Sequence, residues 1–135
     1  MGNNTEKKIK VLLGILSTDI HTRASLVIAQ ALRDAGMEVV FLGFGLTPEM
    51  IVNAAEEEDP DVIGLSTHEG FHLQLFPKVI SKLAEKKMDI PVVAGGSIQE
   101  KDKPFLESIG VTGNFGPGTP LNTVIDHIKS VSRKK

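Results

Sequence analysis

The feature that most constrains this chain is an alternation repeated from one end to the other. Short, almost wholly apolar runs are each followed by a longer stretch with apolar residues at helical spacing. Ile9-Lys10-Val11-Leu12-Leu13-Gly14-Ile15-Leu16, Glu38-Val39-Val40-Phe41-Leu42, Asp61-Val62-Ile63-Gly64-Leu65-Ser66 and Ile90-Pro91-Val92-Val93-Ala94 read as strands, with Thr112-Gly113-Asn114-Phe115 a weaker fifth. Between them, Ala24 to Ala35 carries Leu26, Ala29 or Gln30, and Leu32–Arg33 at roughly helical spacing, and Gly36 closes it. Thr47-Pro48-Glu49 opens a second helix with a capping hydroxyl, a proline at the first helical position and an acid in the first turn. A third is expected from about Leu73 to Lys86, with Leu75, Val79, Ile80 and Leu83 on its apolar stripe. A short one runs from Lys101 to Ile109 and ends at Gly110. Pro120 opens the last, through Val124, Ile125 and Ile128 towards Val131.

Strands that lack polar alternation are buried on both faces, and strands separated by helices pair in parallel. The expected fold is therefore α/β: a single doubly wound five-stranded parallel sheet in the flavodoxin-like (Rossmann-like) order 2-1-3-4-5. The length of 135 residues suits one domain over 1–135, with about 8–132 as its ordered core. No linker, repeat or low-complexity segment interrupts the pattern.

Composition removes several classes of function. Without cysteine there are no disulfides, thiolate metal sites or cysteine nucleophiles. The formal net charge of -2 gives no electrostatic reason to expect nucleic acid or an anionic membrane as a partner. Absent Tyr and Trp, the stacking platforms of single-strand binders are missing too. The stretch Met1 to Glu6 lacks the apolar run of a signal peptide, and no apolar segment approaches membrane-spanning length. A cytoplasmic protein is expected, with Arg133-Lys134-Lys135 a solvated, frayed basic tail.

In such a sheet, ligands bind beyond the carboxyl ends of the strands, where the strand order reverses. The loops at that edge are the least ordinary in the chain: Ser17 to Arg23, Ser66 to Gly70, Gly95-Gly96-Ser97 and Gly116-Pro117-Gly118-Thr119. The pair Asp19-x-His21 stands out. An imidazole that coordinates a metal through one nitrogen commonly donates the other N–H to a carboxylate, which fixes the tautomer and raises ligand basicity. An ordinary hydrogen bond or a helix cap explains the pair equally well from the residues alone. Gly95-Gly96 either turns the chain or lets a ligand press on the backbone. Gly116 to Thr119 is either a plain helix start or a set of free N–H groups, and it is not a P-loop because no Gly-Lys-Ser/Thr follows. His68, Glu69 and His72 admit a metal-cluster reading beside that of a solvated loop. His127, on the last helix, is expected at the surface and remote from this edge.

Taken in order, these motifs resemble the cobalamin-binding domains of adenosylcobalamin-dependent acyl-CoA mutases, the methylmalonyl-CoA mutase type above all. The family signature Asp-x-His-x-x-Gly, Ser-x-Leu and Gly-Gly stands here as Asp19-Ile20-His21-Thr22-Arg23-Ala24, Ser66-Thr67-His68 and Gly95-Gly96, with Phe115-Gly116-Pro117-Gly118-Thr119 similar to the acyl-CoA mutase version. The resemblance runs from about Lys8 to Val131. It departs from the family at Ala24 for glycine, at His68 for leucine, and at Ile15 where members often carry lysine.

The resemblance implies a cobalamin, as adenosylcobalamin, bound with its dimethylbenzimidazole tail detached from cobalt. His21 would be the lower axial ligand, with Asp19 behind it. The tail would lie in a slot lined by Ala24, Ser66, Gly95 and Gly96 and finished by Gly116 to Thr119, with Thr22, Arg23, Thr67, His68 and Phe115 also at the cofactor. It further implies a partner, a catalytic large mutase subunit whose barrel binds acyl-CoA. The chain would then be half of an isomerase, of the methylmalonyl-CoA or 2-hydroxyisobutyryl-CoA mutase type. The alternative is a non-catalytic B12 carrier, sensor or degenerate module without a mutase partner. A corrinoid methyltransferase carrier would need a helical domain ahead of Ile9. A phosphoryl receiver would need an acidic cluster and a lysine that Ser17-Thr18-Asp19 and Gly116-Pro117 do not supply.

Overall fold

The computed structural model describes residues 8–16, 23–67, 74–96, 98–116 and 118–133. Its elements run β1 (Lys10–Ile15), α1 (Arg23–Asp34), β2 (Glu38–Phe41), α2 (Pro48–Glu58), β3 (Val62–Thr67), α3 (Leu75–Glu85), β4 (Val92–Gly96), α4 (Lys103–Ser108), β5 (Val111–Phe115) and α5 (Leu121–Val131). The strands form one parallel sheet in the order β2-β1-β3-β4-β5, as the apolar runs imply. Strand order reverses between β1 and β3, where Ile15 pairs with Ser66.

The period of two along each strand divides the interior into two cores. In β1, Leu12 joins Ile63, Val52, Phe76, Val79 and Leu106 under α2, α3 and α4. Its neighbours Val11 and Leu13 join Val39, Leu32, Val124 and Ile128 under α1 and α5 on the opposite face. This is why the strand runs show no polar alternation: both faces are roofed by helices. The inward stripe of α1 is Ser25, Ala29 and Leu32, all buried, whereas Leu26, expected on that stripe, is half exposed. In α3 the stripe is Phe76, Val79 and Leu83, with Leu75 and Ile80 only partly buried.

Local chemistry fixes the element ends. Thr47 Oγ1 accepts the Met50 N–H at 3.2 Å and Pro48 occupies the first turn of α2. Glu49 follows, its carboxyl held below the ordinary range by a backbone N–H and by Lys82, whose Nζ lies 3.3 Å away. Asp61 Oδ2 accepts the Lys10 N–H at 2.9 Å, tying the start of β1 to that of β3. The expectation of a frayed basic tail fails at Arg133. Its Nη2 donates to Asp59 Oδ1 at 2.9 Å and to Pro60 O at 2.7 Å, so the chain is pinned against the α2–β3 turn.

Candidate functional site

The carboxyl ends of β3, β4 and β5 lie side by side, with Ser66 opposite Gly95, Thr67 opposite Gly96, and Gly95 opposite Phe115. Gly96 has φ of 107°, and a Cβ there would collide with the Thr67 carbonyl oxygen and come within 3.0 Å of the Thr67 nitrogen. Only glycine lets β4 pass this close to β3 before leaving the sheet. Gly95 is different. A Cβ on it would meet Phe115 O at 3.7 Å and Phe115 Cβ at 3.9 Å, which is ordinary contact. Its missing side chain leaves space.

That space is part of a cavity of about 540 Å³ on the α1–α5 face of the sheet. Gly95, Gly96 and Phe115 form its floor, Gly116, Gly118 and Thr119 one end, and Val27, Ile28, Leu121 and Val124 its helical walls. Thr119 Oγ1 donates to Gly116 O at 2.7 Å, folding the β5–α5 loop back on itself at the cavity end. The lining is largely apolar with backbone exposed at the glycines. Such a surface accepts a flat, mostly apolar group and fixes its polar rim through peptide groups.

Six of the residues singled out from sequence, Gly95, Gly96, Phe115, Gly116, Gly118 and Thr119, border this one cavity. Ser66 is adjacent, at the end of β3, and its Oγ lies 3.1 Å from Ser25 Oγ, so a buried α1 serine anchors it. Thr67 is fully buried, and its backbone forms the close approach to Gly96. Arg23 opens α1 with Ala24 beside it. Asp19, His21, Thr22, His68 and Pro117 lie outside the described residues, as does the cluster His68, Glu69 and His72. Among the described residues no group of His, Asp or Glu is arranged to hold a metal ion. None of their helices is long and apolar enough to cross a membrane.

Sequence reasoning missed the helical walls. The signal was there: Leu26-Val27-Ile28 spreads apolar side chains over roughly 200° of α1, more than an inward stripe needs. Val27 and Leu121 are exposed beside the cavity, 47% and 40% respectively. His127 requires a correction. Far from being a remote surface residue, it is half-buried, its Nε2 is 2.9 Å from Thr112 Oγ1, and its ring meets the cavity residue Phe115 edge-on. Burial holds its pKa below the ordinary histidine value.

Comparison with known proteins shows the family. Residues 9–125 match the model of the B12 binding domain. The chain belongs to the B12-binding domain family. Cobalamin is its cofactor, and the cavity lining is compatible with one: the glycines allow backbone approach, and the apolar walls suit a flat ring. The chain is 41% identical over 124 residues to the 2-hydroxyisobutanoyl-CoA mutase small subunit of Aquincola tertiaricarbonis, covering 91% of each chain. It is 34% identical over 129 residues to the pivalyl-CoA mutase small subunit of Xanthobacter autotrophicus, covering 95% of this chain and 86% of that one. Escherichia coli methylmalonyl-CoA mutase is 36% identical over 129 residues, but there the match spans only 18% of the relative's length.

Solved structures agree on the fold. A cobalamin-binding protein from Desulfitobacterium hafniense superposes with a TM-score of 0.77 at 20% identity, over 92% of this chain and 59% of that one. The signal receiver domain of NarL from Mycobacterium tuberculosis superposes with a TM-score of 0.72 at 14% identity, over 96% of this chain and all of that one. The scaffold alone therefore does not choose between ligands; the residues at the edge do.

Proposed function

We propose that this chain is the cobalamin-binding small subunit of a two-chain acyl-CoA mutase, a single domain that holds the cofactor for a separate large subunit. The near full-length match to two small subunits of such mutases supports the subunit role. The observation that carries the binding mode is the cavity between α1 and α5, floored by Gly95 and Gly96. Its lining comes from the ends of β4 and β5 and from α1 and α5 on one face of the sheet, which suits a nucleotide tail swung away from the corrin.

In this reading the lower face of the cobalt is left to His21 on the loop after β1. Asp19 would accept the other imidazole N–H, which would keep the ring in one tautomer and make it a stronger donor. An adenosyl cofactor supplies the homolytic cobalt–carbon bond cleavage that starts a carbon-skeleton rearrangement. What the chain contributes is retention and orientation. Gly96 lets β4 close on β3, Gly95 leaves the floor of the slot free, Thr119 shapes its end, and Ser25 steadies Ser66 at its rim. The large subunit, with an acyl-CoA-binding barrel, would cover the opposite face of the corrin and set the substrate.

Visible absorption of the purified chain titrated with cobalamin tests this directly, beside His21→Ala. The expected result is a base-off, histidine-ligated spectrum that disappears in the variant while the fold is retained. A variant spectrum identical to wild type would remove His21 as the ligand. No spectral change in the wild-type chain would overturn the binding mode.

A further inference from the structure

The strongest unassigned feature is the contact between α5 and the end of β5. His127 touches both Thr112 and Phe115, with Nε2 to Oγ1 at 2.9 Å and ring centroids 5.4 Å apart at 86°. On an uninterrupted strand, residues three apart point to opposite faces. Here they point to the same one, because β5 carries a bulge: Val93 pairs with Thr112 and Gly95 with Phe115, three steps on β5 against two on β4. Gly113 and Asn114 absorb the extra residue at φ of 78° and 50°. Asn114 is buried and its Nδ2 donates to Val111 O at 3.1 Å, which holds this left-handed backbone in place.

The bulge also makes room for the ring. A Cβ on Gly113 would come within 2.9 Å of Phe115 Cε2 and 2.8 Å of Val93 Cγ1, so the Phe115 ring lies across the gap that glycine leaves. The ring is thus confined by Gly113 and by the perpendicular ring of His127, while it borders the cavity. An edge-to-face contact of this kind holds a ring in one orientation better than an aliphatic neighbour does.

We propose that His127 is a positioning residue for cobalamin binding: anchored on Thr112, it locks Phe115 as a fixed wall of the cavity that receives the nucleotide tail. This rests on the binding mode proposed above. A preset wall spares the tail the cost of ordering the ring. Without the lock, only the fraction of molecules with Phe115 correctly turned binds, and affinity falls by that fraction.

The test compares two probes on the full chain: cobalamin, and cobinamide, which has the corrin but no nucleotide tail. His127→Ala is expected to weaken cobalamin binding about two- to twelve-fold, the range set by loss of one aromatic pair. Cobinamide affinity should stay unchanged. His127→Phe keeps a ring against Phe115 but lacks the nitrogen that bonds Thr112, so its loss should match that of Thr112→Val and stay smaller than that of His127→Ala. Thr112→Val, a near-isosteric change that removes only the anchor, should weaken cobalamin in the same direction and serves if His127→Ala does not fold. Equal cobalamin affinity in wild type, His127→Ala and Thr112→Val overturns the lock. So does a loss shared equally by cobinamide. Failure of the wild-type chain to bind cobalamin instead overturns the binding mode, and the proposal with it.

Discussion

Two adjacent glycines at the end of β4 predict opposite outcomes for the same substitution. In Gly96→Ala the new methyl faces the backbone of Thr67 on β3, with the carbonyl oxygen, the nitrogen at 3.0 Å and the carbonyl carbon at 3.1 Å all in its way. None of these is the end of a flexible side chain, so the sheet itself must part. Holding a non-glycine residue at a strained positive φ costs about 1–3 kcal/mol. Forcing a methyl into a packed site costs about 1–3 kcal/mol more. A loss of about 2–6 kcal/mol is a large share of the roughly 5–15 kcal/mol that stabilises a domain. At about 4 °C per kcal/mol for a chain of this size, Tm should fall by about 8–24 °C.

Gly95→Ala meets only Phe115, at 3.7 and 3.9 Å, and its φ is not positive. Tm should stay within about 4 °C, since reduced freedom of the unfolded chain offsets any crowding. The methyl projects where the cavity floor is, however, and cobalamin affinity should fall about ten-fold from overpacking. Thermal unfolding followed by far-ultraviolet circular dichroism gives the first quantity, and visible titration the second. A Gly96→Ala chain melting within 3 °C of wild type, a margin of about 1 kcal/mol, would refute the backbone clash. Undiminished cobalamin affinity in a folded Gly95→Ala chain would refute the cavity as the tail site.

Three further outcomes follow from the described geometry. Thr47→Ala removes the cap that accepts the Met50 N–H and should cost about 1 kcal/mol in chemical denaturation, with no effect on cobalamin binding. Phe76→Ala empties a fully buried site in the larger core and should cost about 3–5 kcal/mol, measured by the shift in urea midpoint. The third concerns pH. Burial keeps the His127 pKa below its ordinary value, so the unfolded chain takes up that proton first as pH falls below about 6.5. Its contribution to stability is whole above that pH and is lost on the way down to the folded-state pKa. Burial is the cause of the shift; β5 has no titratable side chain, and Asp126 and Lys129 are the charged residues next to His127 along α5. The urea midpoint of wild type should therefore fall more steeply between pH 7.5 and pH 5 than that of His127→Phe; parallel curves would contradict the assignment.

The sheet was readable from sequence because its physics is local. A strand such as Val11-Leu12-Leu13 must find apolar partners on both faces, and a chain that repeats that demand between helices has few ways to satisfy it. The glycine pairs were readable as well, since a residue without Cβ at a strand end announces close approach of something. What the sequence hid depends on parity and on tertiary overlap. Nothing in Thr112-Gly113-Asn114-Phe115 states that Gly113 and Asn114 bulge, so Thr112 and Phe115 appear to face opposite ways and His127 appears to have no partner. Val27 and Leu121 read as stray surface apolar residues until α1 and α5 are set over the same face. Arg133 looks like solvated charge; only the fold shows it fastened to Asp59 and Pro60.

The hidden part is also the part that distinguishes this molecule from others with the same scaffold. A receiver domain superposes on it over nearly the whole chain, so strand order, helix lengths and the two cores belong to the fold and say nothing of the ligand. In this chain the unusual backbone gathers at one end of β4 and β5. There Gly96, Gly113, Asn114 and Gly118 all take positive φ, conformations that weaken a strand wherever they occur. Of these, Gly96 and Gly118 border the cavity, while Gly113 and Asn114 set the direction of the ring that walls it. A sheet selected only for stability would replace such residues with branched apolar ones, as β1 and β3 do along most of their length. In the proposed reading, this slot is where the chain gives up stability in exchange for binding.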